Sequence, residues 1–191
     1  MSLWSVSLGE FREQVASNAP VPGCGAVTCV SAGLGLALVL KALRNAQGKK
    51  PDKARGAVIE EAERLSPVIA AHADADVRSF GAYIDELVCE CEGPAEQRTL
   101  DVTLGSLAAA RSCLAGMHLA DEAKPLVSAF MRADIMAGAL LLHASLMSLL
   151  VNVAIDGKGE CSSAGEGEDP YLAIQALQAA ADKLMSRIRS A

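Results

Sequence analysis

Apolar residues recur along this chain at three- and four-residue spacing, and they predict helices throughout. Ser7-Leu8-Gly9-Glu10 has the spacing of a capping box and opens a short amphipathic helix to about position 17. A second helix is expected over 26–45 and a third from a cap at Asp52 to about 88, with Pro67 as a kink. Positions 89–93 read as an acidic break. Pro94 opens a fourth helix to about 118, and Pro125 a fifth that continues through 155. The glycine- and serine-rich stretch 157–168 reads as a mobile connection. Asp169-Pro170 then starts a last amphipathic helix with Ile174, Leu177, Ala181, Leu184 and Ile188 on one face.

Two segments depart from amphipathicity, because 26–40 and 135–155 carry no charged residue. The second is about long enough to cross a bilayer. Neither has an aromatic belt or sided flanking charge, and the second contains His143, Asn152 and several serines. They are expected to be central helices, buried by other helices or by a second subunit rather than by lipid. Gly25, Cys29, Gly33 and Ala37 strip bulk from one face of the second helix, where another backbone is expected to approach.

Composition agrees: 51% of the 191 residues are hydrophobic but only 3% aromatic, with little of the β-branched and aromatic enrichment of strands. The expected fold is all-α, one domain over 1–191, with about six helices around two long central ones. A net charge of −6 and a pI near 5.1 exclude non-specific nucleic-acid binding, which needs clustered basic residues. No signal-peptide pattern opens the chain, so a cytoplasmic location is expected. The six cysteines contain no C-x-x-C pair, which makes reduced thiols the expectation over a metal site or disulfides.

Three features carry candidate chemistry. In Pro20-Val21-Pro22-Gly23-Cys24-Gly25 two prolines hold the chain extended, glycines permit unusual backbone geometry, and a helix follows at once. Its free N–H groups suit an anionic or carbonyl-bearing ligand, although a tight interhelical connection needs the same residues. Cys24 there is also a candidate nucleophile. On the third helix, Leu65, Ile69, Phe80, Tyr83 and Leu87 form an apolar stripe completed by His72 and Asp76. Asp76 should face inward, either as a functional carboxylate or bonded to a neighbouring helix end. Asp74 should face outward and pair with Arg78. In the fifth helix Asp134, His143 and Asn152 interrupt the apolar run. Asp134 suits the helix dipole, His143 a satisfied core position, and Asn152 a ligand contact through its donor and acceptor.

These motifs together resemble the cyclodeaminase domain of formiminotransferase-cyclodeaminase and its free-standing bacterial relatives, the methenyltetrahydrofolate cyclohydrolases. Pro20-Val21-Pro22-Gly23-Cys24-Gly25-Ala26 is similar to that family's Pro-x-Pro-Gly-Gly-Gly-Ser loop. Asp74-Ala75-Asp76-Val77-Arg78-Ser79-Phe80 is similar to its Asp-x-Asp-x-x-x-Phe pattern, and Ala133-Asp134 with Asn152-Val153 to its Ser-Asp and Asn-Val. The resemblance implies a dimeric helical bundle with no tightly bound cofactor, acting on a tetrahydrofolate derivative as substrate. It implies Asp76 as the catalytic acid/base, with Gly23, Cys24, Gly25, Asp134 and Asn152 around the pterin and Lys49 and Lys50 near a polyglutamate tail. The chain departs from the pattern at Cys24, Ala26, Ser128 and Asp156. It also carries the acidic Val88-Cys89-Glu90-Cys91-Glu92 where relatives have Leu-Pro-Lys. That loop keeps open a relative without folate turnover, or one acting on another reduced pterin.

Overall fold

The computed structural model describes residues 2–89, 95–156 and 170–190. They form six α-helices: α1 (Leu8–Val15), α2 (Cys24–Lys49), α3 (Lys53–Cys89), α4 (Ala95–Ala123), α5 (Arg132–Asp156) and α6 (Pro170–Ser190). Short 3-10 turns cover Leu3–Ser5, Lys124–Leu126 and Ala129–Met131, and no strand occurs among the described residues. Helices α2 to α5 make an antiparallel bundle. Each neighbour runs against the last: Arg44 meets Glu63, His72 meets Ser112, and Lys41 meets Asp134 across α2 and α5.

Why each helix starts where it does is local chemistry. Ser7 and Glu10 form the expected reciprocal capping box on α1. Asp52 Oδ1 accepts from the Arg55 amide at 2.9 Å and caps α3. Helix α2 starts earlier than the glycines suggest, at Cys24, and runs on to Lys49, which shortens the expected gap between the second helix and the Asp52 cap. Pro125 opens a 3-10 turn rather than an α-helix. Val127 and Ser128 after it are extended, which delays α5 until Arg132. The expected break at 89–93 falls on the last residue of α3 and positions outside the described residues, as does the 157–168 connection.

The core lies between α2 and α5, built from fully buried residues such as Leu36, Leu43, Ile135, Leu142 and Leu146. Helix α6 closes one side with Ala181, Leu184 and Ile188 buried and Ile174 partly so. Polar clasps hold it there: His143 Nε2 lies 2.9 Å from Asp182 Oδ1, Arg187 pairs with Asp121, and Lys124 donates to the Ile188 carbonyl. Two helices, Cys24–Lys49 and Ala129–Ile155, are long and apolar enough to span a membrane. Neither is buried all round within one chain, since Leu34 on α2 and Leu140, Leu141, Val151 and Ile155 on α5 remain exposed.

The expected backbone approach occurs on a different face of α2. A Cβ on Gly138 would lie 2.5 Å from the Gly35 carbonyl oxygen, and one on Gly35 would lie 2.9 Å from that of Gly138. The predicted stripe receives side chains instead: Asp76 covers Gly25 and the Trp4 indole covers Gly33. Trp4 also donates from Nε1 to the Ala70 carbonyl, and the Leu3 amide donates to Asp74 Oδ1 at 2.8 Å. The partner that holds Asp74 is thus the N-terminal segment and not Arg78. Gly138→Ala should lower thermal stability. Relieving a backbone contact means parting α2 and α5, an overpacking cost of about 1–3 kcal/mol that exceeds the ~1 kcal/mol alanine gains in helix propensity. A melting temperature several degrees lower is expected by calorimetry, and an unchanged one would refute the close-packing account.

Candidate functional site

Asp76 is positioned by the antiparallel crossing of α2 and α3, which brings the middle of α3 beside the first turn of α2. A Cβ on Gly25 would lie 2.0 Å from Asp76 Oδ1 and 2.6 Å from its carboxyl carbon. The carboxylate therefore occupies the place of a side chain at position 25. No described glycine has a positive φ, and Gly23 is in ordinary extended geometry. Room for Asp76, rather than backbone freedom, accounts for the glycine at 25. Gly23 caps α2 without a side-chain hydrogen bond, so the N–H groups of Cys24, Gly25 and Ala26, which have no partner within the helix, and the positive end of the helix dipole lie beside that carboxylate.

Asp76 opens onto a cleft between α2, α3, α4 and α5 that holds about 380 Å³ of empty space including its mouth. His72, Asp76 and Ser79 from α3 line it, with Asp101 and Ser106 from α4, Cys29 from α2 and apolar walls that include Leu149. Asp101, Ser79 and Ser106 were not singled out from sequence. A signal for the α4 wall exists: Asp101, Gly105 and Ala109 recur every fourth position and strip bulk from one face. Sequence alone does not tell which helix that face meets.

The thiols beside the cleft are not poised as nucleophiles. Burial, and then the charge of Asp76 and of Cys24, pushes the Cys29 thiol up to about 12. Burial likewise raises that of Cys113. Cys24 is exposed, and its sulfur lies 3.8 Å from the Thr28 hydroxyl, which is no general base.

The remaining residues divide by their place along the helices. Gly23, Cys24, Gly25 and Asp76 stand together. Asn152, half-buried one turn beyond Leu149, lies toward the same end of the bundle because α5 runs antiparallel to α2. Asp134 lies about 27 Å from Asn152 along the α5 axis at about 1.5 Å per residue, and Lys41 pairs with it at 3.1 Å. Lys49 and Lys50 end α2 about 36 Å from Gly25 on the same reckoning. One chain therefore does not bring Asp134, Lys49 or Lys50 to the Asp76 cleft. Among the described residues no group of three or more His, Cys, Asp or Glu side chains is clustered to hold a metal.

This arrangement puts a carboxylate and an imidazole on a partly enclosed cleft, with the first turn of α2 beside the carboxylate, which suits moving protons to and from a bound ring system. Residues 7–159 match the formiminotransferase-cyclodeaminase family. The fold matches the crystal structure of formiminotetrahydrofolate cyclodeaminase from Thermotoga maritima with a TM-score of 0.88 at 21% identity, covering 97% of this chain and 95% of that one. No curated protein matches the sequence.

Proposed function

The chain belongs to the formiminotransferase-cyclodeaminase family, and from that premise we propose that it is a one-carbon enzyme acting on a reduced folate in the Asp76 cleft. The observation that carries this reading is the contact of the Asp76 carboxylate with Gly25. It sets an acid/base directly beside backbone donors able to hold the carbonyl or ring nitrogens of a pterin.

In methenyltetrahydrofolate hydrolysis, water adds to the methenyl carbon of a cationic amidinium and the tetrahedral adduct opens to a formyl group. Asp76 takes a proton from the attacking water and returns it to the departing nitrogen, and its negative charge favours the cationic substrate. In formiminotetrahydrofolate cyclisation the same group protonates departing ammonia. Gly23, Cys24 and Gly25 offer N–H groups to the ligand, and Asn152 orients the pterin or Asp76. Loss of the methenyl chromophore above the uncatalysed rate identifies the first reaction, and ammonia release from formiminotetrahydrofolate the second. Neither reaction above background would overturn the enzyme reading. The acidic Glu90 and Glu92 would then favour a relative that binds a pterin with a different tail, or a protein partner.

The working unit in this reading is a homodimer. Val151 and Ile155 are 56% and 64% exposed on an otherwise apolar helix, beside exposed Leu140 and Leu141, and a second copy would remove that surface from water. The protein is expected to sediment as a dimer and Val151→Glu to shift it toward monomer. A wild-type monomer at micromolar concentration would contradict this.

A further inference from the structure

His72 has no part in the reaction as written above, yet it stands one helical turn before Asp76 and lines the same cleft. Its Nε2 lies 3.1 Å from Ser112 Oγ, and Ser112 Oγ lies 3.1 Å from the Ala108 carbonyl oxygen. With its one proton donated to the Ala108 carbonyl, the Ser112 hydroxyl can only accept from the imidazole. The neutral ring is therefore the Nε2–H tautomer, with its lone pair at Nδ1. No hydrogen bond among the described residues engages that nitrogen. The ionisable groups that line the cleft with the ring are Asp76 on its own helix, Asp101 from α4 and Cys29 from α2, with the hydroxyls of Ser79 and Ser106.

We propose that His72 is a second catalytic proton acceptor, whose Nδ1 takes the proton of the adduct hydroxyl as the formyl carbonyl forms. The proposal rests on the hydrolysis reading. Water oxygen bonds to the methenyl carbon while Asp76 takes one water proton, which leaves a neutral hydroxyl adduct. The carbon–nitrogen bond then breaks, its electron pair goes to nitrogen, and nitrogen takes the proton held by Asp76. The remaining O–H proton passes to Nδ1 as the carbonyl forms, and the imidazolium gives it to solvent. One proton is released overall, as conversion of a methenyl cation to a neutral formyl product requires, and nothing is oxidised or reduced.

Two acceptors divide this labour because Asp76 is giving its proton to nitrogen in the same step in which the hydroxyl proton must leave. Burial lowers the His72 pKa from its ordinary value, which keeps the ring neutral and able to accept at pH 7. Protonation of His72 removes the acceptor, so kcat should fall as pH drops through that lowered pKa, below the ordinary histidine value of about 6.5.

His72→Gln separates the roles, since glutamine can still donate an N–H to Ser112 but has no basic lone pair. It is expected to lower kcat by about a hundredfold, with KM and 5-formyltetrahydrofolate affinity within about twofold, and to abolish the acidic limb of the kcat profile that His72 imposes. Wild-type kcat and pH profile in the variant would overturn the proposal and leave the Asp76 reading standing. Loss of 5-formyltetrahydrofolate binding in parallel with kcat would mark a structural histidine and overturn it too. An inactive wild-type protein would overturn the hydrolysis reading itself. Nitrogen-15 spectra of the imidazole add a readout independent of turnover: Nε2–H at neutral pH is expected, and Nδ1–H or imidazolium would refute the assignment.

Discussion

Asp76→Asn is expected to reduce turnover by at least about a hundredfold, the ordinary scale for losing a positioned acid/base, while leaving the bundle folded. Asparagine has the same shape and still fits over Gly25, where the carboxylate now lies within 2.0 Å of an imagined Cβ. It keeps an acceptor oxygen but cannot take up a proton at neutral pH. The helical content and melting temperature should therefore stay close to wild type as kcat collapses. A variant that melts normally and turns over normally would remove Asp76 from the chemistry.

Gly25→Ala should be nearly as damaging, for a different reason. The atom that the new methyl would meet is the end of a side chain and not a backbone, so the helices need not part. Asp76 rotates away instead. Displacing a reacting group by about 1 Å can cost on the order of a hundredfold in rate, so a large fall in kcat is expected with only a small change in thermal stability. The contrast with Gly138→Ala is direct, because there the obstacle is the Gly35 carbonyl on a neighbouring helix and stability is what suffers. A Gly25→Ala protein with undiminished kcat would show that the Asp76–Gly25 contact does not set the reactive geometry.

How far the sequence reveals this molecule depends on whether a feature is local. The six helices, the capping box at Ser7 and the cap at Asp52 were legible because periodicity and capping act within a few residues. The start of α2 was misplaced because Gly23-Cys24-Gly25 has the composition of a loop, whereas Gly25 is there to admit a side chain from α3. Pro125 signals a helix start, but the two extended residues after it defer the helix to Arg132. The inward phase of Asp76 was legible from the α3 stripe, and the face it meets was not. Asp134 shows the limit most clearly, for its pairing with Lys41 spans 93 positions. No local pattern announces that partner, or the distance it sets between Asp134 and the Asp76 cleft of the same chain. Lys49 and Lys50 are separated from Gly25 by the length of α2 itself.

Isothermal titration with 5-formyltetrahydrofolate, on wild-type protein and on Gly25→Ala, tests most directly whether the Asp76 cleft holds a reduced folate. Saturable binding at one ligand per chain, weakened by the alanine at the mouth of α2, is the expected result. No heat of binding to the wild-type protein, or equal binding by both, would contradict a folate site at Asp76 and Gly25.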